Sequence, residues 1–311
     1  MKFCFIDSEV FISNRELIAP LEALGEVSVY DGIPETVDDA VRRAGDADVI
    51  LFSLMQFTNE ILDRLPKLKI LQFIGTGVWN FVDVKYAEAK GILVQKIEGY
   101  GSNAVAEFAV TTAMALSRHL TQADRIMKTE KWTIDGLCGF EIARSTIGVI
   151  GTGNIGSLVA KKFISLGARV LACDIYENEE LKKDYGVEYG SMEEVFSHSD
   201  IVTLHMKATP ENERCIGKSL FQVMKPGALL VNVARAELIN SKDLYDSLRH
   251  GNLGGVAIDV YNREPPGAEE YDFISEYNVI ATPHIGYYTQ DAAYKSVIMA
   301  VNTVIQSLKN I

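Results

Sequence analysis

Gly151-Thr152-Gly153-Asn154-Ile155-Gly156 decides the fold, because of what flanks it. Upstream, Thr146-Ile147-Gly148-Val149-Ile150 is an apolar run with β-branched residues, the composition of a buried strand. Downstream, Ile155 to Leu166 has the pattern of a helix that stops at Gly167, and a second apolar run, Arg169 to Cys173, ends on Asp174. A lone G-x-G-x-x-G is a weak signal. Set between a strand and a helix, with an acid eighteen positions after Gly156 closing the next strand, it is a dinucleotide-binding fingerprint. The glycines let backbone N–H groups approach a pyrophosphate at the positive end of the helix. Asp174 is placed to accept hydrogen bonds from a ribose diol. No Arg or Lys follows it in Ile175-Tyr176-Glu177-Asn178-Glu179, so a 2′-phosphate would be repelled and NAD is favoured over NADP.

The rest of the chain fits two domains. Its 311 residues are enough for two cores, and 48% hydrophobic with 23% charged residues is ordinary for a globular protein. No apolar run approaches the length of a membrane span, and Met1-Lys2-Phe3-Cys4-Phe5-Ile6-Asp7 reads as a first strand rather than a signal peptide. Cys4, Cys138, Cys173 and Cys215 show no metal or redox spacing, so free thiols in a reducing cytoplasm are expected. A formal charge of −12 argues against nucleic acid and anionic membranes as partners. An anionic substrate must therefore be held by local cations and N–H groups.

Before the fingerprint, Lys2–Ile6, Val27–Tyr30, Val49–Phe52, Ile70–Ile74 and Ile92–Val94 read as strands. Between them Arg15–Leu24, Asp38–Ala44, Asn59–Leu65 and Val84–Lys90 read as helices, which implies a small parallel sheet covered on both faces. Ser102 or Asn103 is expected to cap a helix running to about Ser117, too apolar all round to face water. A second sheet follows in Ile147–Ile150, Val170–Cys173, Ile201–Leu204, Ala228–Val233, Val256–Val260 and Val279–Ala281. The last helix, Thr289 to Leu308, has no sheet left to cover there and is expected to return to the first domain.

Asp174, His205, Arg235, Asp259 and His284 each fall near the C-terminal end of an expected strand, the edge where open parallel sheets bind ligands. Arg235 ends Val231-Asn232-Val233-Ala234-Arg235; a planar guanidinium grips a carboxylate through two parallel bonds. His284, in Thr282-Pro283-His284-Ile285-Gly286, is the residue type suited to exchanging a proton near neutral pH. A neighbouring glutamate would orient its ring and stabilise the imidazolium, and Asp259-Val260-Tyr261-Asn262-Arg263-Glu264-Pro265 supplies one. His119, His198 and His250 read as structural, and His205 as lining the cofactor crevice.

Together these segments resemble the D-isomer-specific 2-hydroxyacid dehydrogenase family. Ser102-Asn103-Ala104-Val105-Ala106-Glu107, the fingerprint with its strand, Met224 to Arg235, Asp259-Val260 with Glu264-Pro265, and Pro283-His284-Ile285-Gly286 carry the likeness, which spans roughly residues 45 to 310. The resemblance implies an α/β chain of two doubly wound parallel-sheet domains with a cleft between. One is a Rossmann NAD-binding domain over 101–282, the other a discontinuous flavodoxin-like substrate domain of 1–100 plus 283–311. It implies reversible hydride transfer between NAD and a small D-2-hydroxy or 2-oxo acid, and a homodimer. Arg235 would bind the carboxylate and polarise the carbonyl, and Glu264 would pair with His284 as acid and base. N–H groups around Thr76, Gly77 and Val78 would hold the carboxylate. Gly151, Gly153, Asn154, Ile155, Gly156, Asp174, His205, Met206, Lys207, Asn212, Val233, Ala234 and Asp259 would line the cofactor, and no metal is expected.

Three departures from the family pattern matter, two of them for the substrate and one in the cofactor loop. The loop Gly75 to Asp83 is one residue longer than usual and carries Trp79 where an aspartate is common. Leu54-Met55-Gln56-Phe57 follows Ser53, where phosphoglycerate enzymes typically have an arginine, and Lys207 replaces a proline. The first two disfavour a phosphorylated substrate and favour a compact uncharged tail. Two rival readings are an NAD-sensing corepressor-like protein and a formate dehydrogenase; the latter relatives carry glutamine in place of Glu264.

Overall fold

The computed structural model describes residues 1–8, 14–250, 253–275 and 278–309. They fall into two units, Met1–Gly101 with Tyr288–Ile311, and Ser102–Tyr287. In the first, β1 (Lys2–Ser8), β2 (Glu26–Asp31), β3 (Val49–Phe52), β4 (Ile70–Phe73) and β5 (Leu93–Gln95) form one parallel sheet in the order β2-β1-β3-β4-β5. Side chains alternate across it. Cys4, Ile6, Ile50 and Phe52 meet Ala40, Ala44, Ile61 and Leu62 of the helices Val37–Ala44 and Asn59–Asp63. Phe3, Phe5, Val49 and Leu51 meet Val297, Ala300, Val301 and Val304 of the final helix, Gln290–Leu308. With both faces covered, every residue of β3 and β4 is buried; β3 reads as an unbroken apolar run, and β4 is interrupted only by Gln72, whose side-chain amide donates to the Phe73 carbonyl at 2.8 Å. Each such Phe, Leu or Ile is worth about 1.5–3 kcal/mol relative to exposure.

The helix expected over Arg15–Leu24 is broken. A 3₁₀ turn at Arg15–Leu17 gives way to a single α-turn at Ala19–Glu22, with Pro20 inside its first turn. Proline has no N–H to continue a ladder and its ring crowds the carbonyl four residues back, so the helix restarts instead of running through.

The second unit holds β6 (Thr146–Ile150), β7 (Arg169–Cys173), β8 (Glu188–Tyr189), β9 (Ile201–Leu204), β10 (Ala228–Asn232), β11 (Leu253–Ile258) and β12 (Val279–Ala281). All pair in parallel, in the order β12-β11-β10-β9-β6-β7-β8. The two-residue edge strand β8 is too short to leave a pattern in the sequence. Helices Ser102–Ser117 and Asn154–Ser165 pack through Ala106, Ala109, Ala113, Val159, Ala160 and Phe163 onto one face. The other face is closed by Val195, Phe196, Leu220, Phe221 and Leu244.

The helix after Gly101 also departs from expectation. Ser102 is its first residue rather than its cap, and Asn103 donates to Glu107 one turn on, at 2.8 Å. Nor is it buried all round: Asn103, Glu107, Thr111 and Met114 form an exposed stripe. Small alanines on its inner face make the segment look uniformly apolar without widening the buried face.

Candidate active site

Because every strand of the second sheet runs the same way, its C-terminal ends share one edge, and the chain's winding reverses between β6 and β9. Along that edge, in spatial order, come His284 after β12, Asp259 and Glu264 after β11, Arg235 after β10, His205 after β9, the glycine turn after β6, and Asp174 after β7.

The glycine turn is built for close approach. Gly151 has φ +90°, and a Cβ there would lie 2.7 Å from the Met206 amide nitrogen. A Cβ on Gly156 would overlap the Gly151 carbonyl oxygen and lie 3.2 Å from the His205 Cβ. Gly153, by contrast, has nothing within 4 Å of its Cβ position, leaving open the space in front of the helix that Asn154 and Ile155 begin. N–H groups facing such a gap at the N-terminus of a twelve-residue helix suit a pyrophosphate.

Next to the turn, Asp174 accepts from the Thr152 amide and, at 3.1 Å, from the Thr152 hydroxyl, while its other oxygen accepts from the Tyr176 amide at 3.2 Å. Tyr189 of β8 closes this network, donating to the Thr152 hydroxyl and accepting from the Asn178 amide, both at 3.0 Å. On the other side, His205 Nε2 lies 2.8 Å from the Thr203 hydroxyl, while its Nδ1 is enclosed with no partner among the described residues. Burial pushes the His205 pKa down to about 3, so it is neutral. An orphaned polar atom beside the glycine turn is a further sign that this edge is completed by a ligand. The loop after it is closed by Asn212, which accepts from the Thr209 amide at 2.7 Å and donates to the Lys207 carbonyl at 2.8 Å. Met206 follows His205 directly, so its amide borders the same turn.

Two more loops carry the ionisable groups. Asn232, 1% exposed, ties the loop of Val233, Ala234 and Arg235, accepting from the Ala234 amide at 3.0 Å and donating to the Arg235 carbonyl at 2.9 Å. Arg235 is exposed, one guanidinium N–H resting on the Ala234 carbonyl at 2.7 Å. His284 Nδ1 lies 2.8 and 3.0 Å from the two Glu264 oxygens. A carboxylate can only accept, so Nδ1 carries the hydrogen and Nε2 is the nitrogen left for chemistry.

His284 sits at φ +55°, a left-handed conformation that the surroundings must enforce. They do so through groups that no sequence pattern marks for this purpose. Asp259, 2% exposed, accepts from the Thr282 hydroxyl at 2.6 Å and from the Ile285 and Gly286 amides at 2.9 and 2.8 Å. Both its oxygens are thus committed to the histidine loop. Tyr261 donates its hydroxyl to the Thr282 carbonyl at 3.0 Å and its amide to Glu264 at 3.2 Å, so one residue braces both members of the pair. Burial and the nearby Asp259 and Glu264 charges push the Tyr261 pKa up to about 12, keeping it a donor. In the first unit, the N–H groups of Thr76, Gly77 and Val78 donate to no protein group among the described residues.

Residues 110–286 match the model of the D-isomer specific 2-hydroxyacid dehydrogenase NAD-binding domain. The chain belongs to this family. NAD is the cofactor of that domain, and the turn, the gap before Asn154 and the orphaned His205 nitrogen fit it. The hydroxypyruvate reductase of Thermotoga maritima is 33% identical over 302 residues, 97% of this chain and 94% of that one. The D-3-phosphoglycerate dehydrogenase of Methanocaldococcus jannaschii is 34% identical over 281 residues, 90% of this chain, which spans about half (53%) of that relative's length. Among solved structures, the D-lactate dehydrogenase of Lactobacillus jensenii with NAD+ superposes at TM-score 0.83 with 29% identity, covering 100% of this chain and 97% of that one. A D-2-hydroxyisocaproate dehydrogenase superposes at 0.89 with 25% identity, covering 100% and 97%. Among the described residues no helix is long and apolar enough to cross a membrane, and no cluster of metal-ligating side chains occurs.

Proposed function

We propose that the chain exchanges hydride reversibly between NAD and C2 of a small D-2-hydroxy or 2-oxo acid. The observation that carries this reading is the His284–Glu264 pair, held at the NAD-binding edge one strand from the loop of Arg235. NAD, when bound, supplies or takes up the hydride. Arg235 grips the carboxylate and stabilises negative charge on the carbonyl oxygen. His284 gives its Nε2 proton to that oxygen in reduction and removes it in oxidation, while Glu264 holds the ring and offsets the imidazolium charge. Asp259 and Tyr261 enter by fixing the loop from which His284 acts. Asn154, Ile155, Asp174, His205, Met206, Lys207, Asn212, Val233 and Ala234 line the cofactor, and the N–H groups of Thr76, Gly77 and Val78, which have no acceptor among the described residues, bind the substrate carboxylate.

Further support comes from relatives named as reductases and dehydrogenases of 2-oxo and 2-hydroxy acids. The exposed Trp132 and Ile134, 88% and 82% accessible, support a homodimer through that segment of the second unit. The four unpaired cysteines suit a cytoplasmic setting.

The test is NADH oxidation against pyruvate, glyoxylate, hydroxypyruvate and longer 2-oxo acids, with His284→Asn and Arg235→Lys alongside. Turnover that collapses in both variants while NADH still binds supports the reading. Tight NADH binding with no turnover of any 2-oxo acid would replace it with a sensor.

A further inference from the structure

The first sheet, ordered β2-β1-β3-β4-β5, reverses its winding between β1 and β3, and open parallel sheets bind ligands outside the strand ends at such a reversal. A carboxylate of the chain itself stands there. Asp7, near the end of β1 and 3% exposed, accepts through Oδ1 from the Ser53 amide at 2.8 Å and through Oδ2 from the Leu54 and Met55 amides, each at 2.6 Å. Successive N–H groups converging on one point make a nest for an anion. In this chain the anion is built in.

We infer that Asp7 is a positioning and specificity-determining residue: by filling this nest it fixes the loop after β3 with Leu54 outward and bars a negatively charged substrate tail. The inference rests on the 2-oxo acid reading above. Below the loop, Met55 and Phe57 are buried, and Phe57 meets Phe52 edge-to-face with ring centres 4.8 Å apart. Sideways, the Phe57 amide donates to the Phe81 carbonyl at 2.8 Å, and the Gln56 side chain donates to the Asn80 carbonyl at 3.0 Å, joining the loop to the one after β4. The side chains this pair of loops exposes include Leu54 and Trp79, at 42% and 63%. From Ser53 to Thr58 there is no cation, and Lys96, whose Nζ lies 5.0 Å over the Trp79 ring, is paired with Glu98 at 2.6 Å, so a phosphate would meet an occupied nest, the Asp7 charge, two apolar groups and a cation already neutralised. An uncharged tail loses nothing there and gains apolar contact.

The experiment compares the full chain with Asp7→Asn and with Leu54→Ala, a surface change that spares the fold. In Asp7→Asn an amide NH₂ replaces one acceptor and faces the loop donors. Amide exchange at Ser53, Leu54 and Met55 is expected to quicken at least about tenfold, equivalent to losing one charged hydrogen bond. KM for 2-oxobutyrate rises about tenfold with kcat within about threefold, and the preference for it over 3-phosphohydroxypyruvate narrows. Leu54→Ala raises KM for 2-oxobutyrate and leaves the phosphorylated compound unaffected. NADH affinity stays constant in both. The inference is overturned by unchanged exchange in Asp7→Asn, by a fall in kcat at constant KM, or by a wild-type preference for the phosphorylated acid. Should wild type turn over no 2-oxo acid, the functional reading falls and with it the substrate half of this inference; the exchange measurement still decides the loop-fixing half.

Discussion

Two buried aspartates, Asp7 in the first unit and Asp259 in the second, do the same mechanical job with different consequences. Each lies near a strand's C-terminal end, is 2–3% exposed, and collects N–H groups from the loop following a neighbouring strand. Asp7 holds a loop that exposes Leu54; Asp259 holds one that presents His284 in a left-handed conformation. The device is indifferent to what the loop displays. Chemistry is decided by the displayed residue, precision by the carboxylate behind it. Loosening the first loop should therefore alter substrate fit, and loosening the second should alter turnover.

The largest effect expected from this contrast is at the displayed residue. His284→Asn should lower kcat by about 10²–10⁴, the range of general acid–base catalysis, with NADH affinity kept. Steady-state turnover in both directions, with NADH binding measured in parallel, checks this, and an unchanged kcat would remove His284 from the role.

Next comes the carboxylate behind it. Asp259→Asn keeps the size but replaces an acceptor facing Thr282, Ile285 or Gly286, so kcat should fall about 10²-fold with KM for the 2-oxo acid little changed. Asp7→Asn should give the reverse split. If both variants raised KM alone, the division of labour would be wrong. Tyr261→Phe is smaller: one hydroxyl bond to the Thr282 carbonyl is lost, at a cost of about 1 kcal/mol, or roughly fivefold in kcat. Steady-state kinetics at fixed pH would resolve it.

These anchors mark the limit of what the sequence displays. The glycine turn and the strand ends are legible because each depends on local pattern, whereas the pairing of Glu264 with His284, 20 positions apart, is reached through the family resemblance. Asp7 reads only as an acid after a first strand, since its partners lie 46–48 positions away. Asp259 reads as facing the cofactor, yet its oxygens go to a loop 23–27 positions on. In a parallel sheet, neighbouring strand ends are separated by a whole crossover, so loop-to-carboxylate bonds leave no short-range signature. Tyr261 is hidden for the same reason. The Arg15–Leu24 helix fails differently: its apolar spacing is helical, but Pro20 overrides the spacing.

Acid should also separate the two edges, with opposite signs, in stability rather than in turnover. All five histidines lie in the second unit. His205 is held at about 3 against 6.5 for a free imidazole. Below pH 6.5 the unfolded chain takes up a proton that the folded unit refuses, so His205 makes the unit lose stability as pH falls, by at most about 1.4 kcal/mol per pH unit. Burial holds the Asp7 carboxyl above its usual 3.8, so near that pH the folded first unit takes up a proton before the unfolded chain, and the Asp7 contribution rises as pH falls. Surface carboxylates such as Asp46, pulled down to about 2 by Lys2 and Lys67, act the other way, so each site must be read against its own variant. Hydrogen exchange resolved by unit should show His205→Asn flattening the loss in the second unit between pH 7 and 5. In the first unit, Asp7→Asn should steepen the loss near pH 4. Curves that stay parallel to wild type in the second unit would mean that the His205 ring is protonated in place, and that this edge is wetter than its enclosed Nδ1 implies.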